Sequence, residues 1–341
     1  MFTTPPNRIL FIRPSALGDV CRSVPVVASL HSKWPEASID WLVQTEFVDV
    51  VSAIPAIHEV ITFPRSSLQR WYLPKGFVKM ISFLRLLKSK KYDLVIDGQG
   101  LGRSGLFTWA TRCNTRIGLA SAREIGWIGY TQKVQTDKTH TVDQMLALSE
   151  AVGAPIVKDM QLTVTQRDAT WWSTFRNENK VQSYVVLAPT SRWESKQWPI
   201  ERFVEVAKHI SAKGMQVVVV GAPSEAQQVE PMLISGEVLN LLPVMTIGRL
   251  MAVIESSDCV LANDSAALHM AVGFHRPCIG LFGPTNPARV GPYERDDAVI
   301  AAEVEYDEVH YRDRSLGDSL MRQITTEEVL NKVDSLVGDA T

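Results

Sequence analysis

The sequence predicts an α/β protein of two domains, each built on a parallel sheet. Segments that are apolar at every position alternate with helix-length amphipathic segments. This pattern is typical of strands buried on both faces of a sheet and of helices that cover those faces. The alternation is interrupted once, near the middle of the chain. The length of 341 residues also suits two domains, since a domain has roughly 150 residues.

Nine apolar segments are predicted strands, and two amphipathic segments stand out as predicted helices. The predicted strands are ILFI at 9–12, IDWLV at 39–43, EVITF at 59–63, YDLVID at 92–97, YVVLA at 184–188, QVVVVG at 216–221, DCVLA at 258–262, PCIGLFG at 277–283 and AVIAA at 298–302. Residues 200–214 repeat apolar side chains at a 3.6-residue spacing and end on a glycine, as a helix does. Residues 140–153 form the other predicted helix.

The polar, poorly periodic segment 154–182 indicates the domain boundary. We predict an N-terminal domain at 1–160, a linker at 161–182 and a C-terminal domain at 183–325. A final helix at 326–341 is a candidate to pack back on the N-terminal domain. Two such domains would face each other across a cleft at the carboxyl ends of their strands, where open parallel sheets bind ligands.

Composition and charge exclude several classes of protein. The chain is 45% hydrophobic and 21% charged, and 35 Lys and Arg against 37 Asp and Glu give a net charge of −2, so no global charge favours nucleic acid. No apolar run approaches the roughly 18 residues of a membrane span, and the first residues lack the layout of a secretory signal. The four cysteines lie far apart, which predicts neither a zinc site nor disulfides. We therefore expect a cytoplasmic protein.

Asp19 follows the first predicted strand, in the segment Pro14-Ser15-Ala16-Leu17-Gly18-Asp19. An aspartate at a strand-to-helix turn is commonly a helix cap. It can also be a general base, because a carboxylate on a rigid turn can take the proton of a hydroxyl. A helix N-terminus keeps the carboxylate ionised but lowers its basicity, so both interpretations stay open.

Two turns of the second domain are candidate phosphate sites. The loop Thr190–Pro199 combines hydroxyl groups with Lys196, and small residues follow Asp264 at the start of a predicted helix. Ammonium groups, hydroxyls and the first N–H groups of a helix all bind anions. The alternatives are an ordinary solvated loop and, for His269 one turn into the helix, simple packing.

Two further patterns bear on cofactors. No Asp-x-Asp sequence occurs, and no group of His, Asp and Glu has the spacing of metal ligands. The segment Gly100–Gly105 matches the dinucleotide-binding pattern G-x-G-x-x-G, with Glu124 at a suitable distance to hold a ribose. It follows the fourth predicted strand instead of opening a sheet, so dinucleotide binding is a minor alternative.

Residues 65–91 carry eight basic side chains and no acidic one, with aromatic and aliphatic residues interleaved. A basic amphipathic stretch of this kind predicts docking on an anionic membrane surface. The alternative is a helix with one solvated face.

Taken together, these motifs resemble glycosyltransferase family 9, the bacterial ADP-heptose:lipopolysaccharide heptosyltransferases, and most of all the heptosyltransferase I type. The likeness covers nearly the whole chain. It is strongest at Arg13–Asp19, Asp97–Leu101, Lys196–Pro199, Asp264–His269, Gly283–Thr285 and Ile324–Leu330. The resemblance implies a GT-B fold, with two Rossmann-like domains facing across a cleft. It also implies inverting, metal-independent transfer of heptose from ADP-heptose to a hydroxyl of the lipopolysaccharide inner core.

The resemblance further implies the roles of particular residues. Asp19 would be the base that deprotonates the acceptor, and Lys196 would hold the diphosphate. The residues that would bind the donor are Ser15, Ala16, Thr190, Ser191, Lys196, Glu225 at the ribose, Met245 at the adenine, Asp264, Ser265, Ala266, Ala267 and His269. The residues that would bind the acceptor are Arg65, Arg123 and His140. No cofactor is implied, and the expected partners are ADP-heptose, a lipid-linked inner-core acceptor and, through 65–91, the cytoplasmic face of the inner membrane.

The sequence departs from the family pattern at a few positions. Ala16 stands where enzymes that add the first heptose often have a second serine, and Ala266 stands where they have glycine. The loop from Thr190 to Lys196 is slightly longer. These departures leave open the exact identity of the sugar donor and whether the acceptor is Kdo or heptose. The alternative functions are a nucleotide-sugar isomerase or epimerase of similar fold and, with less support, a dinucleotide-binding protein.

Overall fold

The computed structural model of the chain forms two compact units that divide between Thr163 and Val164. Each unit contains one six-stranded sheet in which all neighbouring strands are parallel. The structure describes residues 4–63, 65, 72–236, 238–310 and 312–337. None of the described helices is both long enough and apolar enough to cross a membrane.

The first unit has the strand order β3-β2-β1-β4-β5-β6. Its strands are β1 (Arg8–Ile12), β2 (Ser38–Gln44), β3 (Ile57–Phe63), β4 (Leu94–Asp97), β5 (Arg116–Leu119) and β6 (Gln132–Val134). Its α-helices are α1 (Leu17–Cys21), α2 (Val24–Lys33), α3 (Val48–Val51), α4 (Pro74–Ser89), α5 (Gly102–Ala110) and α6 (Thr141–Ala151). Residues 126–129 form a short 3₁₀ helix that packs on α5.

The second unit repeats this topology, with the order β12-β11-β10-β7-β8-β9. Its strands are β7 (Tyr184–Ala188), β8 (Gln216–Val219), β9 (Leu239–Asn240), β10 (Cys259–Asn263), β11 (Cys278–Phe282) and β12 (Val299–Ala301). Its α-helices are α7 (Gln166–Glu178), α8 (Ile200–Ala212), α9 (Glu230–Ile234), α10 (Ile247–Glu255), α11 (Ala266–Gly273), α12 (Pro287–Val290), α13 (Arg314–Gln323) and α14 (Thr326–Val337). Numbered within each unit, both orders read 3-2-1-4-5-6, which is the Rossmann order.

All nine predicted strands are present, and three short ones were missed. The missed strands are β5, β6 and β9, of which β9 has only two residues. They lie towards the edges of their sheets, and β6 is largely exposed. Strands that are short and half-exposed lack the continuous apolar sequence on which the prediction depended.

Two expectations about helices differ from the structure. The predicted linker 161–182 contains α7, which packs on α10 of the second unit so closely that a Cβ on Gly248 would lie 2.2 Å from the carboxylate of Asp168. From the sequence, the last helix is a candidate to pack back on the N-terminal domain. Instead, Val329 and Val333 of α14 lie in the core of the second unit, beside α8. Each of these helices buries one apolar face. Many of their other residues are polar, so the overall composition of the segments did not predict this burial.

Candidate active site

In both units the candidate catalytic and phosphate-binding residues follow the first and fourth strands of the sheet. β1 is the neighbour of β4 in the first unit, and β7 is the neighbour of β10 in the second. The chain connections leave in opposite directions from such a pair, so the loops after the two strands border an open crevice. Asp19 and the 97–101 loop occupy this position in the first unit. Lys196 and Asp264 occupy it in the second.

Asp19 is the third residue of α1, whose N-cap is Ala16. Its carboxylate accepts a hydrogen bond of 3.1 Å from the backbone N–H of Ala16. Its Oδ1 atom lies 2.5 Å from the Nη2 atom of Arg22 and 3.2 Å from the Nη2 atom of Arg13. The side chain of Asp19 is 28% exposed. The aspartate therefore closes the first turn of the helix, holds two arginines and still reaches the surface.

The charges around Asp19 lower the pKa of its carboxyl group. Burial raises this pKa, but the guanidinium groups of Arg13 and Arg22 and the N–H of Ala16 outweigh burial and hold the pKa below its ordinary value. The carboxylate is therefore ionised at neutral pH. It is also a weaker base than an isolated aspartate, as the position at a helix N-terminus predicts.

The residues expected to bind the acceptor have different surroundings. Arg123 is exposed, and its backbone N–H donates to the carbonyl of Gly100 at 2.8 Å. His140 is the N-cap of α6, where its Nδ1 atom accepts from the N–H of Val142 at 3.2 Å. Arg65 is exposed, and its chain neighbours lie outside the described residues. The structure thus gives His140 a capping role that the sequence analysis did not assign.

The glycines of the G-x-G-x-x-G segment permit close backbone packing. A Cβ on Gly105 would lie 2.2 Å from the carbonyl oxygen of Gly126, and one on Gly102 would lie 2.7 Å from that of Glu124. The Glu124 carboxylate accepts from the N–H of Gly102 at 3.3 Å, so this helix N-terminus already has a carboxylate partner. These contacts explain the segment without a dinucleotide.

Lys196 and Asp264 form an ion pair in the second unit. The Nζ atom of Lys196 lies 2.6 Å from Oδ2 of Asp264, and the two side chains are 15% and 9% exposed. The hydroxyl of Thr285 donates to the same carboxylate oxygen at 2.9 Å. Both charged residues belong to the donor site that the sequence predicts, and in the structure they are in contact.

Asn263 holds this site together, and the sequence analysis did not single it out. It is fully buried at the end of β10. Its Nδ2 donates to the carbonyl of Pro189 at 2.6 Å, and its Oδ1 accepts from the N–H of Trp198 at 3.0 Å. Asn263 thereby ties both ends of the loop that carries Lys196 to the strand that precedes Asp264. The only sequence signal is a polar residue at the end of an apolar strand.

The N-terminus of α11 combines a free hydroxyl with helix N–H groups. Ser265 is its N-cap, and the Ser265 Oγ atom is buried with no hydrogen-bond partner among the described residues. Ala266 and Ala267 begin the helix. A phosphate oxygen is an acceptor that this hydroxyl and these N–H groups fit. His269 is only 2% exposed, so its ring lies inside the unit, in keeping with the packing alternative.

Glu225 and Thr190 form a second polar pair. Thr190 donates to Oε2 of Glu225 at 2.7 Å, and the same oxygen accepts from the N–H of Ala222 at 2.7 Å. Thr190 and Ser191 are buried, whereas Glu225 and Met245 are half-buried. The second carboxylate oxygen of Glu225 is therefore the group that could hold a pair of ribose hydroxyls.

One group of possible metal ligands exists among the described residues. Ligand atoms of Asp40, His58 and Glu59 lie within 4.8 Å of one another. Arg8 already pairs with Asp40 at 2.8 Å and with Glu59 at 3.0 Å, and Lys90 lies 2.6 Å from Glu59. These cations neutralise the cluster, which lies at the amino ends of the strands, away from Asp19. Sequence spacing could not reveal it, since its members come from neighbouring strands.

Comparison with known proteins decides the family. The model of glycosyltransferase family 9 (heptosyltransferase) matches residues 80–317. The chain belongs to this family. It is therefore a glycosyltransferase, and the identified family agrees with the sequence-based resemblance.

Curated relatives extend the similarity along the chain. Lipopolysaccharide core heptosyltransferase OpsX of Haemophilus influenzae is 26% identical and covers 98% of this chain and 99% of its own length. Lipopolysaccharide heptosyltransferase 1 of Escherichia coli K12 is 25% identical, covering 86% of this chain and 93% of its own. The E. coli heptosyltransferase WaaC with ADP-2-deoxy-2-fluoro heptose has a TM-score of 0.75 at 23% identity, covering 96% and 99%. These findings confirm two Rossmann-like domains of the GT-B type.

We predict that Asn263→Ala destabilises the second unit by about 2–4 kcal/mol, because it leaves the buried N–H of Trp198 and the carbonyl of Pro189 without partners. Denaturant unfolding measures this loss. Asn286→Ala, which removes only the cap of the short helix α12, is the matched control and should cost about 1 kcal/mol. Equal losses in the two variants would contradict the bridging role.

Proposed function

We propose that the protein transfers heptose from ADP-heptose to a hydroxyl of the lipopolysaccharide inner core, with inversion at the anomeric carbon. The observation that carries this proposal is the set of side chains on the loops after the first and fourth strands of each sheet, in a chain that belongs to family 9. The first unit presents an ionised carboxylate. The second presents a lysine, the Ser265 hydroxyl, which has no hydrogen-bond partner in the described part of the chain, and a helix N-terminus. A base and an anion site are the two parts that a direct displacement needs.

The second unit supplies the groups that suit the donor. Lys196, Ser265 Oγ and the N–H groups at the start of α11 would bind the diphosphate, and Glu225 would bind the ribose. The negative charge that develops on departing ADP is then stabilised by protein cations and dipoles. Asp264 holds Lys196 in place and can accept from the heptose hydroxyls. We propose that no metal ion takes part.

In the first unit, Asp19 would take the proton of the acceptor hydroxyl. Its lowered pKa is compatible with this role, because an attacking hydroxyl becomes acidic as its bond to the anomeric carbon forms. A weak base then accepts the proton late in the step. Arg13 and Arg22 fix the orientation of the carboxylate. With one base and no covalent intermediate, the product has the inverted configuration.

The acceptor is a lipid-linked inner-core sugar, either Kdo or heptose, and Arg123 would bind an acidic group on it. The basic segment 65–91 would hold the protein at the cytoplasmic face of the inner membrane. In α4, Met80, Phe83 and Leu87 pack into the core, whereas Phe77 is 52% exposed. Exposed residues around it are Tyr72, Leu73, Lys75, Val78 and Lys79. This mixture of apolar and cationic side chains suits an anionic lipid surface.

One assay separates the proposed function from its alternatives. The protein is incubated with ADP-heptose and a Kdo-terminated lipid, and the lipid is examined by mass spectrometry. A transferase adds one heptose to the lipid and releases ADP only when the acceptor is present. Release of nucleotide without acceptor would instead indicate an isomerase or epimerase.

Asp19→Asn should lower the rate of transfer by about 10²–10⁴-fold, because it removes the base, while calorimetry should find donor binding unchanged. Asp49→Asn, which removes an acidic residue from the first turn of α3, is the control and should retain activity.

Because the pKa of Asp19 lies below its ordinary value, lowering the pH from 7 to 5 should not protonate its carboxylate, and the kcat of the wild type should not fall through this group. An acid-side loss of kcat in this range that disappears in Asp19→Asn would contradict the lowered pKa of Asp19, whereas an unchanged rate of transfer in Asp19→Asn would contradict its role as the base.

Lys196→Ala should weaken the binding of ADP-heptose by about ten- to a hundredfold, because a charge-assisted contact with the diphosphate is lost. Isothermal calorimetry measures the affinity. Lys213 pairs with Asp334 at 2.8 Å in the same unit, so Lys213→Ala is a matched control that removes an ion pair outside the proposed site. Unchanged affinity in Lys196→Ala would refute the diphosphate role.

Binding to vesicles that contain anionic lipids should fall as salt rises, because the attraction is electrostatic. The variant Lys75→Glu with Lys79→Glu should bind such vesicles more weakly than the wild type in co-sedimentation. The control is Lys180→Glu with Lys208→Glu, which changes two exposed lysines of the second unit by the same charge. Equal loss in both variants, or binding that ignores salt, would argue against docking through 65–91.

A further inference from the structure

Asp97 is a buried carboxylate on β4, the strand next to β1, and the proposed mechanism gives it no role. It ends β4 and is 1% exposed. Its Oδ1 atom accepts from the backbone N–H groups of Gln99 at 2.8 Å and Gly100 at 3.1 Å. Its Oδ2 atom accepts from the hydroxyl of Tyr130 at 2.8 Å. The two oxygens of one carboxylate thus fold a loop and hold a tyrosine.

Tyr130 has a fixed position over the sheet. It is 7% exposed, and its ring lies over Gly118 of β5, where any Cβ would approach the ring to 2.3 Å. Burial, together with the charge of Asp97, raises the pKa of Tyr130, so its hydroxyl keeps its proton and donates. The absence of a side chain at Gly118 is therefore what lets the hydroxyl reach Asp97.

The loop folded by Asp97 makes contacts with both sets of proposed site residues in the first unit. The carbonyl of Gly98 accepts from Nη1 of Arg13, which also contacts Asp19. The side-chain oxygen of Gln99 accepts from the N–H of Ser15 at 3.1 Å. The carbonyl of Gly100 accepts from the N–H of Arg123 at 2.8 Å.

Gly100 adopts a positive φ of 65°, a conformation that glycine takes without strain. In this conformation the N–H of Gly100 points to Asp97, and its carbonyl accepts from Arg123. Three successive residues of the loop therefore make hydrogen bonds to the site: residue 98 to Arg13 beside the base, residue 99 to Ser15, and residue 100 to Arg123.

We infer that Asp97 and Tyr130 are positioning residues that set the distance between the base Asp19 and the acceptor-binding segment at Arg123. The inference rests on the proposed function, since it concerns how the acceptor meets its base. Loss of the Tyr130 hydroxyl removes one hydrogen bond from a buried carboxylate that otherwise receives only the Ser104 hydroxyl and the two loop N–H groups among the described residues, so the carboxylate reorients or draws in water. The 98–100 loop then moves, and with it the carbonyls that hold Arg13 and the backbone of Arg123. Ser15 and Ala16 are also expected near the donor, but the groups proposed to bind the diphosphate and the ribose lie in the second unit, so donor affinity should not change.

The same unit offers a matched control for loss of a buried tyrosine hydroxyl. Tyr92 is 4% exposed and donates to the fully buried Asp40 at 2.8 Å. This pair lies at the amino ends of the strands, opposite to Asp97. Tyr92→Phe and Tyr130→Phe therefore each remove one hydrogen bond from a buried tyrosine to a buried aspartate, at the two ends of one sheet.

The experiment compares Tyr130→Phe, Tyr92→Phe and the wild type in three measurements. These are thermal unfolding, donor affinity by calorimetry, and kcat with the Kdo-terminated lipid. We expect similar melting temperatures for the two variants and unchanged donor affinity in both. We expect kcat to fall by about ten- to a hundredfold in Tyr130→Phe alone, as for a small misplacement of reacting groups. Equal kcat in the two variants would overturn the inference.

Hydrogen exchange followed by mass spectrometry gives a readout that needs no activity. The amides of Gln99 and Gly100 should exchange faster in Tyr130→Phe than in Tyr92→Phe, since their acceptor has moved. Unchanged exchange at these two amides would also overturn the inference. If the wild type transfers no heptose while the exchange difference is found, the proposed function fails and the positioning of the loop by Tyr130 and Asp97 stands.

Discussion

The order of strands in each parallel sheet is the constraint on which the rest of the structure depends. Connections leave the first and fourth strands of a Rossmann sheet in opposite directions, so no crossover helix covers the loops after them. In the first unit these loops carry Asp19 and Asp97. In the second they carry Lys196 and Asp264. Four chemically reactive or charged groups are therefore placed by topology before any side-chain contact is made.

Electrostatics then sets what each of these groups can do. Asp19 is held by two arginines, remains ionised and stays 28% exposed, so it can meet a substrate. Asp264 is more deeply buried and takes Lys196 and Thr285 on one oxygen. Asp264 is therefore proposed to orient the lysine, whereas the more exposed Asp19 is proposed to act as the base. Different partners and burial can give the same residue type different roles, as is common for pairs of carboxylates in enzymes.

Several sequence motifs acquired their roles only through packing. The glycines at 102 and 105 resemble a phosphate loop, yet the backbone of residues 124–126 lies where a ligand would need to approach. His140 caps a helix, and His269 is enclosed within the second unit. Asn263 looks like the last polar residue of a strand, and its two hydrogen bonds to Pro189 and Trp198 connect segments 65 and more residues apart. The sequence around such a residue does not indicate which distant segments it contacts.

The sequence by itself determined the α/β class, the nine apolar strands, the family and the positions of Asp19, Lys196 and Asp264 after their strands, because apolar periodicity and turn motifs are local properties of the chain. Only the tertiary structure decided that α7 and α14 belong to the second unit, that Arg13 and Arg22 hold Asp19, and that Tyr130 reaches Asp97 across Gly118. Those outcomes depend on which distant segments share a core or an ion pair. Burial and charge compensation are settled among all the packed elements at once, and no single segment specifies them.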